Sequence, residues 1–177
     1  MIYRLNRFKK AFAVAALCWT VGLHALPASA APDVYESLAV TDLNQQRVDL
    51  RQYRGKVVLL NFWATWCPPC IKEMPSMQRL QDQFSTGQFQ ILAVNLGESS
   101  TRINSFLSSQ AFNFTLPVLQ DEPGAALSQF ALQGMPSSFL LDREGKLIEV
   151  IVGAREWDHP DNIAALQQLI DAQTTQK

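Results

Sequence analysis

Val57-Val58-Leu59-Leu60-Asn61-Phe62-Trp63-Ala64-Thr65-Trp66-Cys67-Pro68-Pro69-Cys70 decides how the rest of the chain is read. The first eight residues form a nearly unbroken apolar run, which predicts a central strand covered on both faces. The last four place two cysteines three positions apart. Behind them Ile71, Met74, Met77, Leu80 and Phe84 recur every three or four residues and mark one apolar helical face. Pro75 falls inside that helix and is expected to kink it. The cysteines therefore stand where a buried strand hands over to a helix.

Outward from this core, Leu38-Ala39-Val40, the turn Asn44-Gln45-Gln46, and then Val48 and Leu50 read as a small hairpin. Phe89 to Leu96 reads as a second buried strand. Helices are expected over Thr101–Gln110, with Ile103, Phe106 and Leu107 inward, over Ala125–Leu132, and over Asp161–Ala172. Ser138–Leu141 and Leu147–Val152 read as strands joined by the turn Asp142-Arg143-Glu144-Gly145. Strand–helix–strand at this spacing implies a parallel pair with a crossover. The closing strand pair implies an antiparallel part. The fold class is α/β, with a central mixed β-sheet flanked by helices and an N-terminal β-hairpin extension.

The spacing of the cysteines carries chemistry. Two residues three apart in a helix's first turn lie on one side, within disulfide reach. The first stands where unpaired backbone N–H groups point outward, and their partial positive charge favours a thiolate. Cys67 is then the attacking thiol, and Cys70, deeper in the helix, is the resolving one. Proline is tolerated in a first turn, because its missing N–H has no partner there, so Pro68 and Pro69 fit. Two blander readings compete. A zinc site needs about four ligands, yet beyond residue 30 the only other Cys or His is His159. A purely structural disulfide gains little from so short a loop.

Composition bounds the setting. The chain has 177 residues, 47% of them hydrophobic and 18% charged, a balance suited to one packed domain. No basic patch interleaved with aromatics supports nucleic-acid binding. The first thirty residues differ from the rest. Arg4, Arg7, Lys9 and Lys10 precede an apolar stretch from Ala11 to Leu26, and Ala28-Ser29-Ala30 follows. This is the layout of a secretory signal peptide, so residues 1–30 are expected to be a leader and residues 31–177 the working domain. An uncleaved membrane anchor through residues 11–26 is the alternative, although the run is short of the roughly 20 residues that span a bilayer comfortably. Without residues 1–30 the chain keeps eleven basic and sixteen acidic residues, a formal charge of −5. Export would place the cysteine pair where disulfides form and persist.

Phe62-Trp63-Ala64-Thr65-Trp66-Cys67-Pro68-Pro69-Cys70, followed by Glu73 and Pro75, resembles the thioredoxin superfamily, and within it the TlpA/ResA-like branch of exported thioredoxins. The resemblance runs from about Leu38 to Ile170. It implies a thioredoxin fold. Gly134-Met135-Pro136-Ser137-Ser138-Phe139 is similar to the family's cis-proline segment. Pro136 is then expected to be cis and to face the cysteines, with the Met135 backbone binding an incoming strand. Val94-Asn95-Leu96-Gly97-Glu98-Ser99 is similar to the segment where the branch places an active-site glutamate, which points to Glu98. Asn61 occupies the place of the buried aspartate of cytoplasmic thioredoxins and cannot titrate. Glu98 is therefore the expected proton acceptor for Cys70. Trp66 is expected beside Cys67 on the contact surface. Trp63, Met74 and Met77 are expected in the core, and Lys72 and Glu73 on the exposed side of the helix. Trp157 and His159 read as loop residues without a role.

The resemblance further implies a dithiol reductase acting in the periplasm. It needs no cofactor beyond the Cys67–Cys70 disulfide. Its electrons would come from a membrane thiol carrier of the CcdA/DsbD type. Its clients would be protein disulfides such as those of apocytochrome c, in cytochrome c maturation, or copper-site cysteines. Nothing in the sequence demands more than a monomer. A dithiol oxidase of the same fold and a copper-binding thiol chaperone are the competing readings.

Overall fold

The computed structural model describes residues 33–174; the expected leader lies outside them. Seven strands form one sheet: β1 (Val40–Thr41), β2 (Arg47–Val48), β3 (Val57–Trp63), β4 (Phe89–Leu96), β5 (Val118–Asp121), β6 (Ser137–Leu141) and β7 (Leu147–Val152). Their order across the sheet is β2-β1-β5-β4-β3-β6-β7. β3 lies between β4, which runs parallel to it, and β6, which runs antiparallel. Every residue of β3 and β4 is buried, as the apolar runs predict.

Alternation along β3 splits the core in two. Val58, Leu60 and Phe62 pack on one face with Phe139 and Leu141 of β6, Ala126 from the short helix α4 (Ala125–Gln129), and Val34 and Tyr35 from α1 (Val34–Ser37). Val57 and Leu59 pack on the other face with Met77 and Leu80 of α2 (Pro68–Gln81) and Leu166 and Ile170 of α5 (Pro160–Thr174). A third cluster, over the C-terminal end of β3, joins Trp63, Cys67, Cys70 and Met74 to Ile103 of α3 (Ser100–Ser108). Among the described residues, no helix is long and apolar enough to cross a membrane.

Three local features differ from the sequence reading. α2 ends at Gln81, so Phe84, expected on its apolar face, lies beyond the helix while still packing on the second face of the core. The lead-in contains the one-turn helix α1, capped by Asp33, whose side chain accepts from the Tyr35 N–H. β5 was not expected at all. It pairs parallel with β4 and takes the hairpin onto its other side through Thr41 opposite Gln120. Half of β5 is polar, which hides it from an apolar pattern. Its polar residues are nonetheless buried and paired: Asp121 accepts from the N–H groups of Ala125 and Ala126 at 3.1 and 2.8 Å and so caps α4.

The turn between β6 and β7 requires its glycine. Gly145 has φ 85°, and a Cβ there would run into the ring of Tyr35.

Candidate active site

Cys67 is the N-cap of α2, with extended backbone (φ −101°, ψ 96°), and Pro68 and Pro69 follow as the first helical residues. The Cys67 N–H donates to the Ala64 carbonyl at 3.2 Å, and its own carbonyl accepts from Ile71 at 3.2 Å. These bonds close the turn that brings β3 into the helix. Cys67 and Cys70 are joined in a disulfide with their Cα atoms 5.3 Å apart. Cys67 is 4% exposed and Cys70 1%, the order expected of an attacking and a resolving thiol. Trp66 stands out beside them at 64% exposure. A shallow apolar groove runs past Cys67, lined by Trp66, Pro68, Pro69, Leu127, Gly134 and Met135.

On one side that groove is lined by Gly134 and Met135, just before β6 begins. The Met135–Pro136 peptide bond is cis, the form that the resemblance implies. The β3–β6 ladder ends at Phe62 opposite Ser137, so Met135 lies beyond the last paired residue. Its side chain packs on the cluster that holds both cysteines.

Three residues along α2 from Cys70 lies a buried carboxyl group that the sequence reading put on the surface. Glu73 is 3% exposed. One carboxylate oxygen, Oε1, accepts from Asn61 Nδ2 at 2.8 Å. The other, Oε2, accepts from the Arg155 backbone N–H at 3.0 Å and from Trp157 Nε1 at 2.9 Å. Burial pushes the Glu73 carboxyl above the ordinary carboxylate range, against the pull of these three donors. Glu73 follows Cys70 by three positions on α2, the spacing that puts side chains on neighbouring spots of one helix. Trp157, expected to be idle in a loop, is buried and holds this carboxylate. Asn61, also buried, donates to Ser138 Oγ at 2.9 Å as well. A polar residue in the middle of an apolar strand was the available signal. Its side chain needs a buried partner, and Glu73 is the carboxylate that the adjoining helix offers.

Glu98 has other partners. Its Oε2 accepts from the Thr65 N–H at 2.7 Å and from Asn95 Nδ2 at 2.8 Å, and its Oε1 accepts from Thr65 Oγ1 at 2.6 Å. Arg102 Nε lies 3.7 Å away. Burial pushes the Glu98 carboxyl up, but the Thr65 and Asn95 donors and the Arg102 charge outweigh it, so its value falls below the usual one. Glu98 thus reaches the turn before Cys67 as an ionised hydrogen-bond acceptor.

The sequence signature of the Redoxin family matches residues 26–169. The chain belongs to the Redoxin family, within the thioredoxin superfamily. Among the relatives of this Redoxin chain is the thiol-disulfide oxidoreductase ResA of Bacillus subtilis (strain 168), 38% identical over 117 residues. That match spans 66% of this chain and 64% of the relative. The ResA of Geobacillus thermodenitrificans (strain NG80-2) is 38% identical over 125 residues, 71% of this chain and 68% of the relative. A crystal structure put forward as the thiol:disulfide interchange protein DsbE of Chlorobium tepidum superposes with a TM-score of 0.64 at 35% identity. It covers 81% of this chain and 94% of its own.

In this Redoxin chain the site is a two-cysteine couple at a helix N-terminus. An exposed apolar groove runs past it, and a buried, hydrogen-bonded carboxyl group follows it on the same helix. Among the described residues, no group of three or more His, Cys, Asp or Glu side chains is placed to share a metal ion.

Proposed function

We propose that the chain is a thiol–disulfide oxidoreductase working outside the cytoplasm as a dithiol reductase of client proteins. The observation that carries the reading is the Cys67–Cys70 disulfide at the N-terminus of α2. The ResA relatives, by their names, support the same chemistry. In the reduced protein the Cys67 thiolate attacks one sulfur of a client disulfide. An S–S bond forms between Cys67 and the client, and the client's second sulfur leaves as a thiolate and takes up a proton. Cys70 then loses its proton and attacks Cys67 Sγ. The mixed disulfide breaks, the client's first sulfur leaves as a thiolate, and the Cys67–Cys70 disulfide remains. Two electrons have passed from the protein to the client.

Glu73 is the proposed proton acceptor for Cys70. It is buried three residues along the same helix, and burial brings its proton affinity closer to that of a thiol. Glu98 acts instead on the turn before Cys67. The client strand lies in the groove beside Trp66 and along the Met135 backbone. Electrons return through a membrane thiol carrier of the CcdA/DsbD type, and clients include apocytochrome c or copper-site cysteines. The basic, apolar and small-residue order of residues 1–30 supports export to the periplasm.

The test has two arms. A Cys70→Ser variant incubated with a disulfide client should accumulate a client adduct on Cys67, seen by mass spectrometry; Cys67→Ser should form none and lose insulin reduction. A midpoint potential near roughly −270 mV fits the reductase, and one near roughly −120 mV would make the protein an oxidase instead.

A further inference from the structure

Gln45, in the turn of the β1–β2 hairpin, has φ 65°, a left-handed conformation uncommon for a residue with a side chain. Its side chain is committed to a partner far along the sequence. Gln45 Nε2 donates to Gln120 Oε1 at 2.9 Å, across 75 positions of chain. Gln120 is 1% exposed, and it passes the link inward: its Nε2 donates to the Glu98 carbonyl at 2.8 Å. The orientation of the Gln120 amide is fixed at both ends, since a carbonyl accepts on one side and a side-chain N–H donates on the other. Glu98 then takes both the N–H and the hydroxyl of Thr65, and Arg102 Nε donates to the same hydroxyl at 3.1 Å. Thr65 is two residues before Cys67. A separate contact runs the same way, because Leu43 of the hairpin turn packs on the apolar cluster that contains both cysteines.

We propose that the hairpin turn Asp42–Gln46 is a positioning element of the redox site: through Gln120 and Glu98, Gln45 holds the Ala64–Cys67 turn where Cys67 Sγ meets the α2 N-terminus. The inference rests on Cys67 being the nucleophile of the proposed function. Its physical basis is the short range of a helix terminus, whose influence fades within the first turn. A turn free to shift carries the sulfur away from the N–H groups that favour its thiolate. The reduced form then loses stability relative to the disulfide.

The rival reading is that these amides merely glue the hairpin to the sheet. Gln45→Gly separates the two. It removes the amide link, and glycine accepts the left-handed backbone without strain, so a glue-only role moves nothing at the cysteines. Gln120→Glu keeps the shape and the acceptor for Gln45 but removes the donor to the Glu98 carbonyl, and serves as the second variant. In the full chain, three quantities are measured: thermal stability, hydrogen exchange of the Thr65 amide, and the equilibrium of the cysteine pair with glutathione. The expected result for Gln45→Gly is a melting temperature equal to or above wild type, with Thr65 exchange faster by about tenfold. The glutathione equilibrium should shift about threefold toward the protein disulfide, the scale of a helix-terminus interaction. A wild-type glutathione equilibrium in both variants overturns the proposal, whether or not Thr65 exchanges faster. A wild-type protein that does not exchange with glutathione at all overturns the proposed function itself, a separate outcome.

Discussion

Asn61 and Glu73 meet in the sealed space between the central strand and the active-site helix, with Asn61 Nδ2 2.8 Å from Glu73 Oε1. A neutral amide thus stands against the carboxylate. It donates a hydrogen bond and adds no second charge. The buried titratable group of this pair therefore sits on the helix and not on the strand.

Glu73→Gln tests the charge. Because burial raises the Glu73 carboxyl, the folded protein holds that proton to higher pH than the unfolded chain does. The wild type therefore loses stability as pH rises through the raised folded value, while below the ordinary carboxylate range Glu73 contributes no pH dependence. Glutamine removes this drain. The variant should gain stability over wild type in denaturant melts as pH rises above the ordinary carboxylate range. Resolution of the mixed disulfide should slow by about a hundredfold in rapid-mixing assays, the scale of a lost proton acceptor.

Asn61→Asp puts a second carboxyl against the first. Two buried carboxylates in contact cannot both ionise readily, so one proton is held to still higher pH. Thermal melts should show the variant close to wild type in acid and progressively weaker toward pH 8, about the alkaline edge of ordinary stability. A flat difference across that range would mean that solvent reaches the pair.

Trp66→Ala addresses the groove. Trp66 is 64% exposed, so its loss should change stability by no more than about 0.5 kcal/mol. The KM for a disulfide-bearing peptide should rise by about tenfold with kcat little changed, the pattern of a lost binding contact. A fall in kcat alone would move Trp66 from binding to chemistry.

Gly145→Ala probes the far end of the fold. The positive φ and the Tyr35 ring together leave no room for a methyl group. The variant should lose about 1–3 kcal/mol of unfolding free energy in urea melts. Its reduction potential should match wild type, because Tyr35, the ring the methyl meets, belongs to a different apolar cluster from the cysteines.

What the sequence made legible has a common character. β3, β4 and α2 announce themselves by local period, and the cysteine spacing carries its chemistry within four residues. The turn at Asp142–Gly145 is equally local. What it hid depends on partners far along the chain. Glu73 looks like any helix-surface glutamate until Arg155 and Trp157, 82 and 84 positions away, fold over it. Gln120 and Asp121 carry no apolar pattern of their own, and their place in the sheet shows only when Gln45, Glu98 and α4 use up their hydrogen bonds. The family resemblance pointed to Glu98, and its carboxylate accepts from Thr65 and Asn95.

The pairing of the hairpin with β5 also orders events in time. β3 and β4 are close in sequence and zip together over seven residue pairs, whereas the hairpin reaches the sheet through one pair, Thr41 with Gln120. Closing so long a loop for one ladder pair is slow, and until Val40, Leu43 and the Gln45–Gln120 bond take hold it reopens readily. The segment that a ribosome makes before the rest of the domain is thereby the last to take its place in the sheet, and the first that heat or a protease should find loose.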